Sequence, residues 1–170
     1  MIIQVSELPE EGLTFDDVEP FRAAFTDATW HLDALHLTLT PDGKDVSVEG
    51  QIEATVPQAC GRCLEPFPSK VAANVSVLVT PRPATGGDSN ELGRDDLDTD
   101  FYVNDQLDLD RLIEAETTLA LDMKPLCRTD CRGLCPVCGL NRNVTACECE
   151  VRQPDPRLAA LKQFVARSER

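Results

Sequence analysis

Apolar and polar side chains alternate with a period of two over much of the stretch from residue 35 to residue 79. Leu35, Leu37 and Leu39 are separated by polar residues. Val46, Val48, Ile52, Ala54 and Val56 follow at even positions, interrupted at Gly50. Val71, Ala73, Val75, Val77 and Val79 then occupy odd positions. Alternation of this kind puts the apolar set on one face, so it predicts half-buried strands. Pro41-Asp42-Gly43-Lys44 reads as the turn between the first two, with Gly43 free to take a positive φ. Phe101-Tyr102-Val103 is expected to add a short strand.

Near Asp108 the period changes to that of a helix. Asp108 is a candidate N-cap and Asp110 suits the positive end of the helix dipole. Leu109, Leu112, Ile113, Leu119, Ala120 and Met123 form one apolar stripe, and Pro125 is expected to end the helix. A stripe at this spacing is core, and no chemistry is assigned to it. Residues 6–24 read as a loop or short covering segment, and residues 81–100 as a mobile polar loop. After Pro154-Asp155-Pro156, Leu158, Leu161, Phe164 and Val165 predict a short helix docked on the core. The expected fold is α+β: an antiparallel sheet, curled toward a barrel, packs on one main helix. Residues 1–126 would form this core, and residues 127–170 a metal-stapled tail.

Charge sharpens this division. The chain carries −14 in all. Residues 1–123 hold 7 basic and 25 acidic side chains, a net −18, whereas residues 124–170 hold 9 and 5, a net +4. Residues 88–122 alone reach −10, with 12 acids against 2 bases. Such a chain lacks the basic footprint of a general nucleic-acid binder, and its acidic part suits a basic protein partner. No apolar run of membrane-spanning length and no signal-peptide pattern is present, so a cytoplasmic location is expected.

A reducing location changes how the 8 cysteines are read. All fall in close pairs: Cys60/Cys63, Cys127/Cys131, Cys135/Cys138 and Cys147/Cys149. Zinc takes four ligands in a tetrahedron, and short turns supply them two at a time. Residues 127–149 have no usable period, and a segment of this kind needs a cross-link to hold a shape. The spacing predicts two structural zinc sites, a local one from Cys135, Cys138, Cys147 and Cys149, and a long-range one from Cys60, Cys63, Cys127 and Cys131. Cys147 and Cys149 are close together for one ion, which leaves one of them open as a bystander. Iron in a similar four-thiolate shell fits the same spacing, whereas a catalytic zinc would need an open position.

Catalysis finds little support. There is no nucleophile elbow, phosphate loop or zinc-protease helix motif. His31 and His36 have opposite parity, which puts them on different strand faces. Redox chemistry at Cys60-Gly61-Arg62-Cys63 is the best enzymatic alternative, but that pair lacks the βαβ setting of a thioredoxin-like site. The expectation is a non-enzymatic protein.

Several of these stretches resemble the YceD family, the large ribosomal RNA subunit accumulation proteins. They are Cys60-Gly61-Arg62-Cys63-Leu64-Glu65-Pro66-Phe67, then Gly133-Leu134-Cys135-Pro136-Val137-Cys138-Gly139-Leu140-Asn141-Arg142-Asn143. Cys147-Glu148-Cys149 and Asp155-Pro156-Arg157-Leu158-Ala159-Ala160-Leu161 follow in the same order. The resemblance extends from about residue 25 to 165. It implies a role in accumulation or processing of 23S rRNA, and a partner that is a basic ribosomal protein, such as L32, or a pre-ribosomal particle. In this family some members keep the first cysteine pair without the last four, with histidines near the places of Cys127 and Cys131, which fits two independent sites. Direct contact with 23S rRNA is the second reading, through Arg62, Arg128, Arg132, Asn141, Arg142, Asn143 and Arg152. A thiol redox or metal-handling protein is the third.

Overall fold

The computed structural model describes residues 1–82 and 99–149. In chain order the strands are β1 (Ile2–Gln4), β2 (Leu13–Phe15), β3 (His31–Asp42), β4 (Asp45–Ala59), β5 (Pro66–Pro81), β6 (Thr99–Tyr102) and β7 (Gln106–Asp108). One helix, α1 (Leu109–Leu119), follows directly on β7. The three long strands are the ones the alternation predicts. Gly43, at φ 66°, makes the turn between β3 and β4. Even positions of β4 and odd positions of β5 are buried, as the pattern requires.

A five-stranded sheet has the order β2-β3-β4-β5-β6, and β1 pairs with β7 in a separate two-stranded ribbon. The larger sheet is open, with β2 and β6 at its edges, so it does not close into a barrel. It is antiparallel except for β6, which runs parallel to β5. A parallel neighbour needs a crossover, which a tight hairpin cannot supply. That connection runs through residues 83–98, so most of the loop expected at 81–100 lies outside the described residues, as do the predicted helix at 158–165 and Arg152. The ends of that expected loop are strand: Pro81 closes β5, and Thr99 and Asp100 open β6.

Two further expectations are corrected. Residues 6–24 are more than a loop, because Leu13–Phe15 pairs with β3 and Phe21 is buried in the core. A bulge between Leu32 and Ala34 shifts the alternation of β3 by one residue. His31 and His36 therefore lie on the same exposed face, opposite Thr55 and Gln51 of β4. His36 is paired with Asp16.

One face of the sheet carries the core. Leu35, Leu37, Leu39, Val46, Val48, Ile52, Val75 and Val79 meet Phe21 from the N-terminal segment and Leu109, Leu112 and Ile113 from α1. The Asp108 carboxylate accepts hydrogen bonds from the backbone N–H of Asp110 at 3.1 Å and Arg111 at 3.4 Å, so it caps α1 as expected. The helix stops at Leu119, short of Pro125, and the far end of the predicted stripe is not core: Leu119 is 78% and Met123 99% exposed. The buried apolar side chains of α1, Leu109, Leu112 and Ile113, lie in its first turns, and Thr117 is the one buried residue beyond them.

Candidate metal centres

Strand β4 buries its even positions, and Cys60, the next even position beyond its end, is fully buried. The chain then turns back through residues 60–65, with the Cys60 N–H bonded to the Glu65 carbonyl and the Leu64 N–H to the Cys60 carbonyl. Leu64 sits at φ 62° in this turn, which swings Cys63 toward the same point as Cys60. The stretch after α1 arrives here: the Gly61 N–H donates to the Pro125 carbonyl at 2.8 Å. It brings Cys127 and Cys131, and Leu126, Cys127 and Phe67 pack around the buried sulfurs.

Cys63 Sγ lies 3.7 Å from Cys127 Sγ, and Cys60 Sγ 3.8 Å from Cys131 Sγ. The edge of a tetrahedron with metal–sulfur bonds of about 2.3 Å is ~3.8 Å long, so these separations are those of ligands around one ion. They are far too long for disulfides, whose sulfurs bond at about 2.05 Å.

The second group is local. The Gly139 N–H donates to the Cys135 carbonyl at 2.9 Å, with Gly139 at φ 74°, and the Val137 N–H points at Cys135 Sγ at 3.5 Å. This knuckle aims Cys135 and Cys138 at one point, and Cys147 and Cys149 return to it. In each group the four sulfurs lie within 4.8 Å of one another, and each group could hold a metal ion. The structure thus brings together the two sets expected from spacing, with Cys147 and Cys149 both inside the second. The first group is buried apart from the half-buried Cys127, whereas Cys138 of the second is exposed.

The electrostatics also fit a cation. Backbone N–H groups, that of Cys127 first and then Cys63, lower the Cys60 thiol to about 6. The N–H groups of Cys138 and Val137 do the same for Cys135, again to about 6. Burial, and then the neighbouring sulfurs, push Cys127 up to about 12. In the second group the Cys138 sulfur, then burial, push Cys149 up to about 12. Against the opposing effect of burial, the Asn143 amide and the Gly133 N–H lower Cys131 as well. Each group therefore sets sulfurs that ionise readily beside sulfurs that resist ionisation. A bound dication removes that resistance.

The residues singled out for RNA contact divide into two kinds. Arg62 Nη1 donates to the Cys131 carbonyl at 2.9 Å, and Arg128 Nη2 donates to Asn143 Oδ1 at 2.8 Å. Asn141 Oδ1 accepts from both the backbone N–H and the Nδ2 of Asn143. These four side chains brace the cysteine end. Arg132 and Arg142 are exposed and their side chains have no partner among the described residues. Gly133 is a position the spacing argument missed. At φ 68° it lies so near Arg62 that a Cβ would stand 2.9 Å from the Arg62 carbonyl oxygen. Its signal was in plain sight, a glycine placed just before the Cys135 knuckle.

A family model described as large ribosomal RNA subunit accumulation protein YceD matches residues 48–165. The chain belongs to the YceD family. The matched stretch contains both cysteine groups. An uncharacterized protein of Mycobacterium tuberculosis is 33% identical over 136 residues, covering 77% of this chain and 61% of the relative. A chloroplastic large ribosomal RNA subunit accumulation protein YCED homolog 1 of Zea mays is 30% identical over 129 residues, covering 62% of this chain and 44% of the relative. The chain thus spans about three fifths of the mycobacterial relative's length and under half of the plant one. No solved structure matches. The family's name describes ribosomal RNA accumulation and not an enzyme class. Among the described residues no helix is long and apolar enough to cross a membrane.

Proposed function

We propose that this protein is a non-enzymatic, zinc-stapled factor of the cytoplasm that supports large-subunit biogenesis by binding a basic ribosomal protein or a pre-ribosomal particle. The observation that carries this reading is the family match over residues 48–165, which contains both cysteine groups. All-sulfur shells leave no open coordination position, so the metals act as structural cross-links and not as catalysts. Zinc is favoured over iron because it holds such a shell without redox chemistry. Residues 1–126 act as the scaffold, and residues 127–170 as the stapled tail.

Charge supports the choice of partner. The −10 carried by residues 88–122 attracts a basic protein and keeps it from binding RNA indiscriminately. Ribosomal protein L32 is one candidate. Direct contact with 23S rRNA is the second reading, favoured by the exposed side chains of Arg132 and Arg142.

Affinity purification of the tagged full-length protein, with identification of co-purifying protein and RNA, tests the proposal. Recovery of a ribosomal protein or a large-subunit precursor, released by salt, is the expected result. Recovery of neither would sink it. RNA bound by the purified protein alone at low salt, and lost in Arg132→Ala/Arg142→Ala, would favour the second reading.

A further inference from the structure

Asn143 belongs by sequence to the second cysteine group and by contact to the first. It lies in the loop between Cys138 and Cys147, which closes when those two meet at one ion. In the closed arrangement two backbone hydrogen bonds tie the loop down: the Cys135 N–H donates to the Leu140 carbonyl at 2.8 Å, and the Arg142 N–H to the Gly133 carbonyl at 2.9 Å. From this loop the Asn143 side chain reaches out to the first group. Its Nδ2 donates to Cys131 Sγ at 3.2 Å. Its Oδ1 accepts from the Arg132 N–H and from Arg128 Nη2, both at 2.8 Å, in the stretch that carries Cys131. The remaining Nδ2 hydrogen is held by Asn141 Oδ1 at 2.9 Å. The amide is thus bonded on both of its atoms and has one orientation.

We propose that the two cysteine centres fill cooperatively, and that Asn143 is the positioning residue that couples them. This rests on the metal reading above. Closing the loop around the second ion fixes Asn143. An N–H donor then waits beside Cys131 Sγ, stabilises its thiolate charge and holds it in place for the first ion. Without the second ion the loop is a free chain, and the first centre must bear the cost of ordering it. Linkage makes the effect mutual, so the first ion tightens the second by the same factor.

Cobalt(II) titration of the reduced, metal-free, full-length protein tests this, because thiolate-to-cobalt charge transfer reports on the sulfurs directly. Cys135→Ser/Cys138→Ser leaves only the first centre, and its affinity should fall about 10–100-fold, the usual cost of losing a partner that orients a ligand. Cys60→Ser/Cys63→Ser should weaken the second centre by the same factor. Asn143→Ala should weaken the first centre comparably with every cysteine present. It should also move the charge-transfer band to longer wavelength, because a sulfur stripped of its donor gives up an electron more readily. A merely structural role for Asn143 would not shift that band. Asn143→Asp keeps the acceptor for Arg128 and Arg132 but turns an oxygen toward the sulfur, and it should not rescue. Added to Cys135→Ser/Cys138→Ser, Asn143→Ala should cost nothing more. Two ions bound with the affinities of the single-centre variants, or an unshifted band in Asn143→Ala, would overturn the coupling and leave the metal reading intact. No cobalt bound by the wild type would overturn both.

Discussion

At the scale of single residues the sheet is least tolerant at Gly50. It faces Leu37 of β3 and Val75 of β5, and a Cβ there would stand 1.9 Å from the His36 carbonyl oxygen. No rotamer change relieves a clash with backbone, so Gly50→Ala should cost roughly 3 kcal/mol or more in urea denaturation. Protons compete with metal for the same sulfurs, which makes a second residue-scale prediction: both sulfur groups should release their ions as pH falls, with thiolate-to-cobalt absorbance lost in step. Absorbance that is unchanged down to acid pH would contradict thiolate ligation.

At the scale of elements, α1 stabilises the protein through its first turns. Asp108→Ala removes the cap from two backbone N–H groups and should cost about 1 kcal/mol. Ile113→Ala empties a fully buried position and should cost roughly 2–5 kcal/mol. Leu119→Ala and Met123→Ala, both at exposed positions, should stay within about 0.5 kcal/mol of wild type. Chemical denaturation of the four variants checks the gradient, and a large loss at Leu119 would mean that α1 packs along its whole length.

At the scale of the whole molecule, the sheet and the cysteine end are held by different forces. The sheet has a hydrophobic core of its own, whereas the cysteine-rich stretch buries few apolar side chains other than those around Cys60, Cys63 and Cys131. Stripping metal with a chelator should leave hydrogen-exchange protection in β3–β5 while abolishing it across residues 127–149. Elemental analysis of the native protein should find two metal ions per chain, one for each sulfur group. Loss of the sheet together with the tail would show instead that the first centre holds β4 and β5 in place.

Local sequence alone determined the long strands, the turn at Gly43, the cap at Asp108 and the local group of Cys135, Cys138, Cys147 and Cys149. Each follows from spacing along a few residues: a period of two, a glycine in a turn, an acid before a helical stripe, pairs aimed by a knuckle. Tertiary structure decided the rest. The short β2 has no pattern of its own and exists because Leu39 and Leu37 offer it a partner. The bulge at Leu32/Ala34, which moved His31 and His36 to one face, is set by pairing with β4. The parallel docking of β6 is a long-range contact that no local period encodes. Asn143 carries the same lesson at the cysteine end. Its sequence neighbours mark an exposed polar loop, but its bond to Cys131 Sγ forms only after the chain has closed on itself, because hydrogen-bond partners are chosen by distance in space.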